Sequence, residues 1–537
     1  MVDNHYDVII VGSGPGGGSV AHRLARTGKQ ILMLERGNYL PRSRANWDAK
    51  TVFVDGAYQA LDTWYGKDGE SFHPGLHYWV GGNSKVYGSA LFRLRERDFG
   101  ALQHTDGVSP AWPLGYDVFE PYYGQAEALF HVHGQRGEDP NEPWSSTPYA
   151  YESVSHEPRI QALSDSLIKN GLHPFHLPLG ILMDEKHGKV TPTSPCIRCD
   201  TFDGFPCAIS AKADAQVICI DPTLKAHENF TLLTGAYVTR LDTDASGRSV
   251  STVHVTRNGV AEEYSADIVV VACGALSSAL LLLRSANDKH PTGLANGSDQ
   301  VGRNYMRHNM SILMALLKEP NHTVFQKTLA VSDFYFGSDD FDYPLGLIQM
   351  CAVSHGEQVK GEAVPSFLQW VPEMPFDKLS EYSMNFWLQS EDLPRPENRI
   401  AYDGDKVVLS ITEGNELAAE GLRHKLESLL GVIGAHPVLL EHSLYLGKDI
   451  PINGTAHQAG TCRFGPDPKT SVLDLSCKAH QLDNLYIADA SFFPSIGAVN
   501  PTLTIIANAL RVADHIKERL GATDHRPVDL FATAGAL

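Results

Sequence analysis

The stretch Asp7-Val8-Ile9-Ile10-Val11-Gly12-Ser13-Gly14-Pro15-Gly16-Gly17-Gly18 decides the fold. Its first five residues form a nearly continuous apolar run, the pattern of a strand buried on both faces. Gly12-x-Gly14-x-x-Gly17 follows as a turn. Val20, Ala21, Leu24 and Ala25 then share one helical face, with Gly28 as the expected cap. Ile31-Leu32-Met33-Leu34 reads as a second strand, and Glu35 stands eighteen positions after Gly17. Strand, glycine turn, helix, strand and acid in this order make a dinucleotide-binding unit. Gly12 permits the tight turn, Gly14 lets the backbone approach a pyrophosphate, and Gly17 brings helix against strand. Pro15 sits at the helix start, where N–H donors and the positive dipole face the phosphates. Glu35 is placed to accept from ribose hydroxyls. Arg36 beside it hints at a 2′-phosphate, which Glu35 would repel, so a plain adenosine is expected. This motif alone does not separate FAD from NAD.

Working outward, the chain has 537 residues, 43% hydrophobic and 20% charged, a globular composition that excludes disorder as the main state. Asp plus Glu number 63 and Lys plus Arg 44, a formal net charge of −19. Such a surface repels phosphate backbones and anionic lipid, so neither nucleic acid nor membrane is an expected partner. The start, Met1 to Asp7, shows no basic region followed by an apolar stretch, and a cytoplasmic protein is expected. The longest uncharged apolar run, between Asp267 and Arg284, is interrupted by Gly274, Ser277 and Ser278. It falls short of the roughly 20 residues that span a bilayer and reads as strand, turn and helix. Eight cysteines in a chain this long do not make a disulfide scaffold. Cys196-x2-Cys199-x7-Cys207 reads as structural thiols or a local redox-sensitive bridge before it reads as zinc or iron–sulfur, and no metal is expected.

Residues 100–195 look irregular, rich in Pro, His and Tyr, as loops with short helices would be. Strand-like patterns fill 230–271, with turns at Ala245-Ser246-Gly247 and Asn258-Gly259, the latter a hairpin signal. Residues 310–449 alternate apolar runs with Pro and Gly, as an antiparallel sheet with some helix would. One amphipathic helix lies between Gly414 and Gly434. Leu485–Ala488 is a late strand, followed by a helix over Leu503–Leu520.

Six blocks, in order, resemble the glucose–methanol–choline (GMC) oxidoreductase family. They are the first forty residues; Gly81-Gly82-Asn83-Ser84-Lys85-Val86-Tyr87-Gly88; Val269 to Ser278 with Leu280–Leu283; Val301-Gly302-Arg303-Asn304-Tyr305-Met306-Arg307-His308; His457-x-x-Gly460-Thr461; and Asp489-Ala490-Ser491 through Asn500-Pro501-Thr502-Leu503. The resemblance implies FAD as cofactor and an α/β composite fold. A Rossmann-like FAD-binding domain would comprise residues 1–100, 195–310 and 452–525. Residues 101–194 and 311–451 would form an inserted substrate domain on an antiparallel sheet flanked by helices, and 526–537 a tail. Within the family the likeness is to pyranose oxidases and bacterial glycoside 3-oxidases, on Gly497 to Thr504 and Gly81 to Gly88. Where fungal pyranose oxidases carry a flavin-linking histidine this chain has Val86, with His77 upstream a lesser substitute, so non-covalent FAD is expected.

By the same resemblance His457, one of 24 histidines, is the base and Asn500 its partner. An imidazole of unperturbed pKa about 6.5 suits removal of a hydroxyl proton near neutral pH. Gly81, Gly82, Asn83 and Ser84 would lie against the flavin and Val238 against the adenine. Asp489, with Ala490, would hydrogen-bond the ribityl chain or pyrophosphate. Thr502 and Leu503 would offer N–H groups to the flavin O2 edge. Gln349, Asn385, Trp387 and His442 are candidates for a sugar pocket. The expected reaction is oxidation of a pyranose C2 or C3 hydroxyl to a keto-sugar, with electrons passing to O2, a quinone or a partner protein. Alternatives are a non-sugar alcohol and a hydroxynitrile lyase that keeps FAD oxidised. An NAD-dependent dehydrogenase would leave the Gly81 and His457 blocks unexplained.

Overall fold

The computed structural model describes residues 4–363, 374–432, 434–441 and 457–524. Strands β1 (His5–Val11), β2 (Ile31–Leu34) and β3 (Phe230–Leu233) run parallel, and β4 (Ala236–Thr243), β5 (Val250–Arg257) and β6 (Val260–Val271) form an antiparallel meander. The order is β3-β2-β1-β6-β5-β4, with β7 (Leu485–Ile487) parallel to the end of β6. The long β6 makes this possible: its first residues pair antiparallel with β5, its last with β1 and β7 in parallel. Val8, Ile9, Ile10, Ile31, Leu32 and Val269–Val271 are fully buried, as parallel strands covered on both faces must be. Truncating one of them, Ile10→Ala for instance, costs about 2–5 kcal/mol.

Helix α1 (Pro15–Leu24) follows β1, α2 (Ala275–Arg284) follows β6, and α3 (Thr502–Arg519) follows β7. The bidentate pair Arg23–Asp514 ties α1 to α3. Gly17 shows why the first helix needs glycine: a Cβ there would lie 2.1 Å from the Gly12 carbonyl oxygen. The expected cap needs one correction. The α-helix ends at Leu24, a 3-10 turn continues through Ala25–Thr27, and Gly28, at φ +74°, ends that turn. Asn258 and Gly259 do form the two-residue turn between β5 and β6, with Arg257 paired to Val260.

The second unit is a six-stranded antiparallel sheet. Its order is His436–Glu441, Asn309–Leu316, Ser383–Ser390, Leu347–Met350, Leu329–Val331 and Pro174–His176. Side-chain alternation sorts its two faces. Leu313, Ala315, Ile348, Met350, Met384, Phe386 and Leu388 pack with Ile160, Leu163 and Leu422 of the helices Pro158–Lys169 and Glu416–Val432. Met310, Ile312, Gln349, Asn385 and Trp387, at the intervening positions, face a cavity. Residues 101–194 hold the expected helices, but longer ones than expected. They contain a 14-residue helix, Tyr116–Leu129, as well as Pro158–Lys169.

Candidate active site

A cavity of about 460 Å³ runs from the β1–α1 turn to the inner face of the second sheet. Gly12, Gly14, Pro15, Glu35, Arg36, Gly82, Asn83, Ser84, Val238, Asp489, Ala490, Asn500 and Thr502 all line it. Gly17 and Gly81 shape it from behind: Ser13 Oγ accepts from the Gly81 N–H at 3.0 Å, which joins the two glycine loops. The cradle fits an FAD. At Gly14 and Gly274 a Cβ would meet nothing within 4 Å, so glycine leaves bare backbone and open space at the wall. The first turn of α1 holds no acidic residue, and its N–H groups and dipole favour phosphate oxygens.

Several expected ligands have further duties. Glu35 is buried and accepts from Ser13 N–H (3.0 Å), Ser13 Oγ–H (2.5 Å) and Gly37 N–H (2.7 Å), while burial pushes its pKa above the ordinary carboxylate value. Arg36 is not disposed as a phosphate clamp. Its guanidinium bonds Asp62 and lies between the rings of Tyr78 and Tyr237, 3.9 and 4.5 Å from their centroids. Asp489 is the clearest correction. Four protein donors surround its carboxyl: Gly274 N–H, Ser278 Oγ–H, Ser491 N–H and Ser491 Oγ–H. About four lone-pair sites exist on a carboxylate, so Asp489 shapes the cradle and has no acceptor left for the ribityl chain. Val238 offers a carbonyl already bonded to Arg284. Asn83 pins the loop before it, accepting from His77 N–H and donating to the Gly75 carbonyl. Ser84 Oγ donates to the Gly81 carbonyl and accepts from Ala215 N–H. Val86 lines the cavity, and His77, also there, turns Nδ1 to the Tyr58 carbonyl.

At the other end, His457 and Asn500 come together: Asn500 Nδ2 is 3.4 Å from His457 Nε2. Gln349 Nε2 donates to Asn500 Oδ1 at 3.0 Å. Gln349 pairs across the sheet with Trp387, and Asn385 is two residues away on the same face, so three of the four proposed pocket residues share one wall. His442 lies outside the described residues.

Two features went unread as site elements. His308 was visible only as the end of a family-like block, yet its Nδ1 is 3.0 Å from His457 Nδ1. Asp203 and Lys327 also line the cavity as an ion pair against Gly88, where a Cβ would collide with both. Lys212, buried among the carbonyls of Tyr87, Phe202 and Phe205, pins that loop, and burial draws its pKa down to about 8. Cys196, Cys199 and Cys207 are unbridged thiols nearby in sequence. Among the described residues no group of three or more His, Cys, Asp or Glu is placed to hold a metal ion, and no helix is long and apolar enough to cross a membrane.

Fold and site together define a dinucleotide-binding protein with a histidine–asparagine pair in its cavity. Family models agree. GMC oxidoreductase models match residues 179–310 and 448–509, and a model of the NAD(P)-binding Rossmann-like domain matches 10–65. The 6'''-hydroxyparomomycin C oxidase of Streptomyces lividus is 31% identical over 97% of this chain and 93% of its own. The paromamine 6'-oxidase of Streptomyces fradiae is 31% identical over 95% and 91%. A formate oxidase variant from Aspergillus oryzae superposes with a TM-score of 0.67 at 15% identity, over 97% of this chain and 99% of its own. The chain belongs to the GMC oxidoreductase family. Membership implies FAD-dependent oxidation of a CH–OH group.

Proposed function

We propose that the protein oxidises a hydroxyl of a sugar or glycoside to the carbonyl, using FAD held without a covalent bond. One observation carries this reading: the His457–Asn500 pair shares its cavity with a sheet face that presents Gln349, Asn385 and Trp387. Amide groups and an aromatic face suit a polyhydroxylated ring better than an aliphatic chain. Val86 at the place of the flavin-linking histidine supports the non-covalent mode.

When bound, the flavin supplies the acceptor for the carbinol hydride. The protein's own work is orientation and proton removal. His457 Nε2 takes the hydroxyl proton, and general-base catalysis of this kind contributes about 10²–10⁴-fold. Asn500 Nδ2 donates to the substrate oxygen and holds the O–H along the line to the imidazole. Its 3.4 Å contact with His457 is weak and readily exchanged for that oxygen. Gln349 keeps the amide turned this way round. The N-terminus of α3, at Thr502, turns its positive end to the cavity.

The likeness of Gly81–Gly88 and Gly497–Thr504 to pyranose oxidases and glycoside 3-oxidases favours oxidation at C2 or C3. A specific finding favours a second reading, the 6-position of an aminosugar: both Streptomyces relatives are named for oxidising aminoglycosides, one at 6'. A net charge of −19 also draws cationic amines towards the protein. Anaerobic flavin bleaching with glucose, methyl glycosides, paromamine, benzyl alcohol and choline separates these, and NMR of the product gives the position oxidised. Bleaching by the carbohydrates is expected. Bleaching by benzyl alcohol or choline alone refutes a sugar substrate, and no bleaching by any alcohol turns the reading to a lyase. Acid precipitation should release the flavin into the supernatant. Reoxidation by O2 against a quinone identifies the acceptor.

A further inference from the structure

The imidazole of His457 can serve as a base only on the nitrogen that lacks a proton, and its surroundings decide which one that is. The Gly497 carbonyl oxygen is an acceptor and nothing else, and His308 Nε2 lies 2.9 Å from it. His308 Nε2 therefore carries a hydrogen. His308 is buried, 1% exposed, and burial draws its pKa down to about 4, so at neutral pH it holds one proton only. Its Nδ1 is then a lone pair, 3.0 Å from His457 Nδ1. A hydrogen bond between those two atoms requires the proton on His457 Nδ1. The lone pair of a neutral His457 then falls on Nε2, the nitrogen beside Asn500.

We propose that His308 is the positioning residue that fixes the Nδ1–H tautomer of His457 and so turns the basic nitrogen to the substrate. This inference rests on His457 being the base. In free histidine the neutral ring prefers its proton on Nε2, so without this partner the basic nitrogen would point the wrong way. The far side of the arrangement is equally determined. The Ala498 N–H, in the same peptide unit as the Gly497 carbonyl, donates to Tyr335 Oη at 2.8 Å, and that hydroxyl donates to Asp98 Oδ2 at 2.8 Å. From Gln349 through Asn500, His457, His308 and this peptide to Tyr335, every donor points the same way, and aligned hydrogen bonds polarise one another. The imidazolium formed when His457 accepts the proton gains from that alignment through its Nδ1–H.

Two substitutions separate this role from mere anchoring of the 497–500 loop. Asn places an oxygen near the position of Nδ1, so His308→Asn keeps an acceptor for His457 and loses the tie to Gly497. Gln places its amide near the position of Nε2, so His308→Gln keeps the tie and loses the acceptor. Stopped-flow flavin reduction in FAD-loaded enzyme should slow by about 10–10²-fold in His308→Gln, with KM little changed and no recovery at high pH, and should stay within about threefold in His308→Asn. Equal losses, or a better His308→Gln, overturn the proposal. Selective ¹⁵N-histidine NMR of the wild-type holoenzyme, assigned by loss of the His457 signals in His457→Gln, covers the case in which a variant misfolds. A pyridine-type Nε2 at His457 supports the tautomer, and a protonated Nε2 in the neutral ring overturns it. Flavin reduction that survives His457→Ala would instead remove the base assignment itself.

Discussion

Asn500→Asp turns the amide beside the base into a carboxylate of nearly the same shape. Its oxygen would stand about where Asn500 Nδ2 stands, 3.4 Å from His457 Nε2. At that separation and an effective dielectric of about 20, one full charge favours the imidazolium by about 5 kcal/mol. Gln349 Nε2, 3.0 Å from the other oxygen, offsets part of this, and the usual effect of such a neighbour is about 1–3 pKa units. The sign follows from the mechanism. A base must be neutral to act, so a raised pKa removes activity at neutral pH and restores it as pH rises through the new value. From an unperturbed pKa of about 6.5, a rise of that size lowers the neutral fraction, and with it flavin reduction at about pH 7, by about 3- to 200-fold. Asn500→Ala is the control, since it loses the donor to the substrate oxygen but adds no charge. The assay is anaerobic stopped-flow reduction by saturating substrate across pH in both variants. An alkaline shift of the kinetic pKa in Asn500→Asp alone is expected. The same kinetic pKa in both would mean that the carboxylate is not felt at His457, and the pairing seen here would not be the working one.

His457→Ala should retain FAD and lose about 10²–10⁴-fold in flavin reduction, read by absorbance of the purified protein and by rapid mixing. Gly14→Val should abolish FAD binding, because its side chain enters open cavity, while thermal unfolding of the apoprotein stays within about 0.5 kcal/mol. Gly16→Ala should instead cost the fold at least about 1–3 kcal/mol, since its Cβ would stand 1.7 Å from the Ala488 carbonyl oxygen. Calorimetry of both apoproteins checks the contrast, and equal unfolding temperatures would contradict it. The buried His308, its pKa drawn from 6.5 to about 4, binds a proton more readily when unfolded. Stability is therefore lost as pH falls below about 6.5, reaching about 3 kcal/mol near pH 4. Urea unfolding at about pH 7 and pH 4.5 should show a smaller loss in His308→Asn than in the wild type.

What could be read from the chain itself was what its chemistry keeps local. The β1-turn-α1-β2 unit needs only neighbours within thirty-odd residues, and its apolar run and glycines are visible without any partner. The helix Tyr116–Leu129 was hidden by Pro121 and Gly124, although Tyr116, Phe119, Tyr123 and Ala126 already hold the spacing of one buried face. The second sheet was expected, but alternation alone does not say which face a strand turns to the helices. Gln349, Asn385 and Trp387 become a wall only once Ile348, Phe386 and Leu388 are seen packed behind them. Arg36 and Asp489 teach the sharper lesson. Both are charged residues beside glycine turns, and both read as ligands for a cofactor. Asp489 is instead filled by Ser491 beside it and by Gly274 and Ser278, more than two hundred residues away, and Arg36 is held by Asp62, Tyr78 and Tyr237. A charge is recruited by whichever partners reach it with the least desolvation, and in both cases some of those partners come from elsewhere in the chain. His308 is the converse. Its block marks it as family-like but gives it no role, yet it sits 149 residues before His457 and against its ring, because the strand Asn309–Leu316 begins where the cavity does.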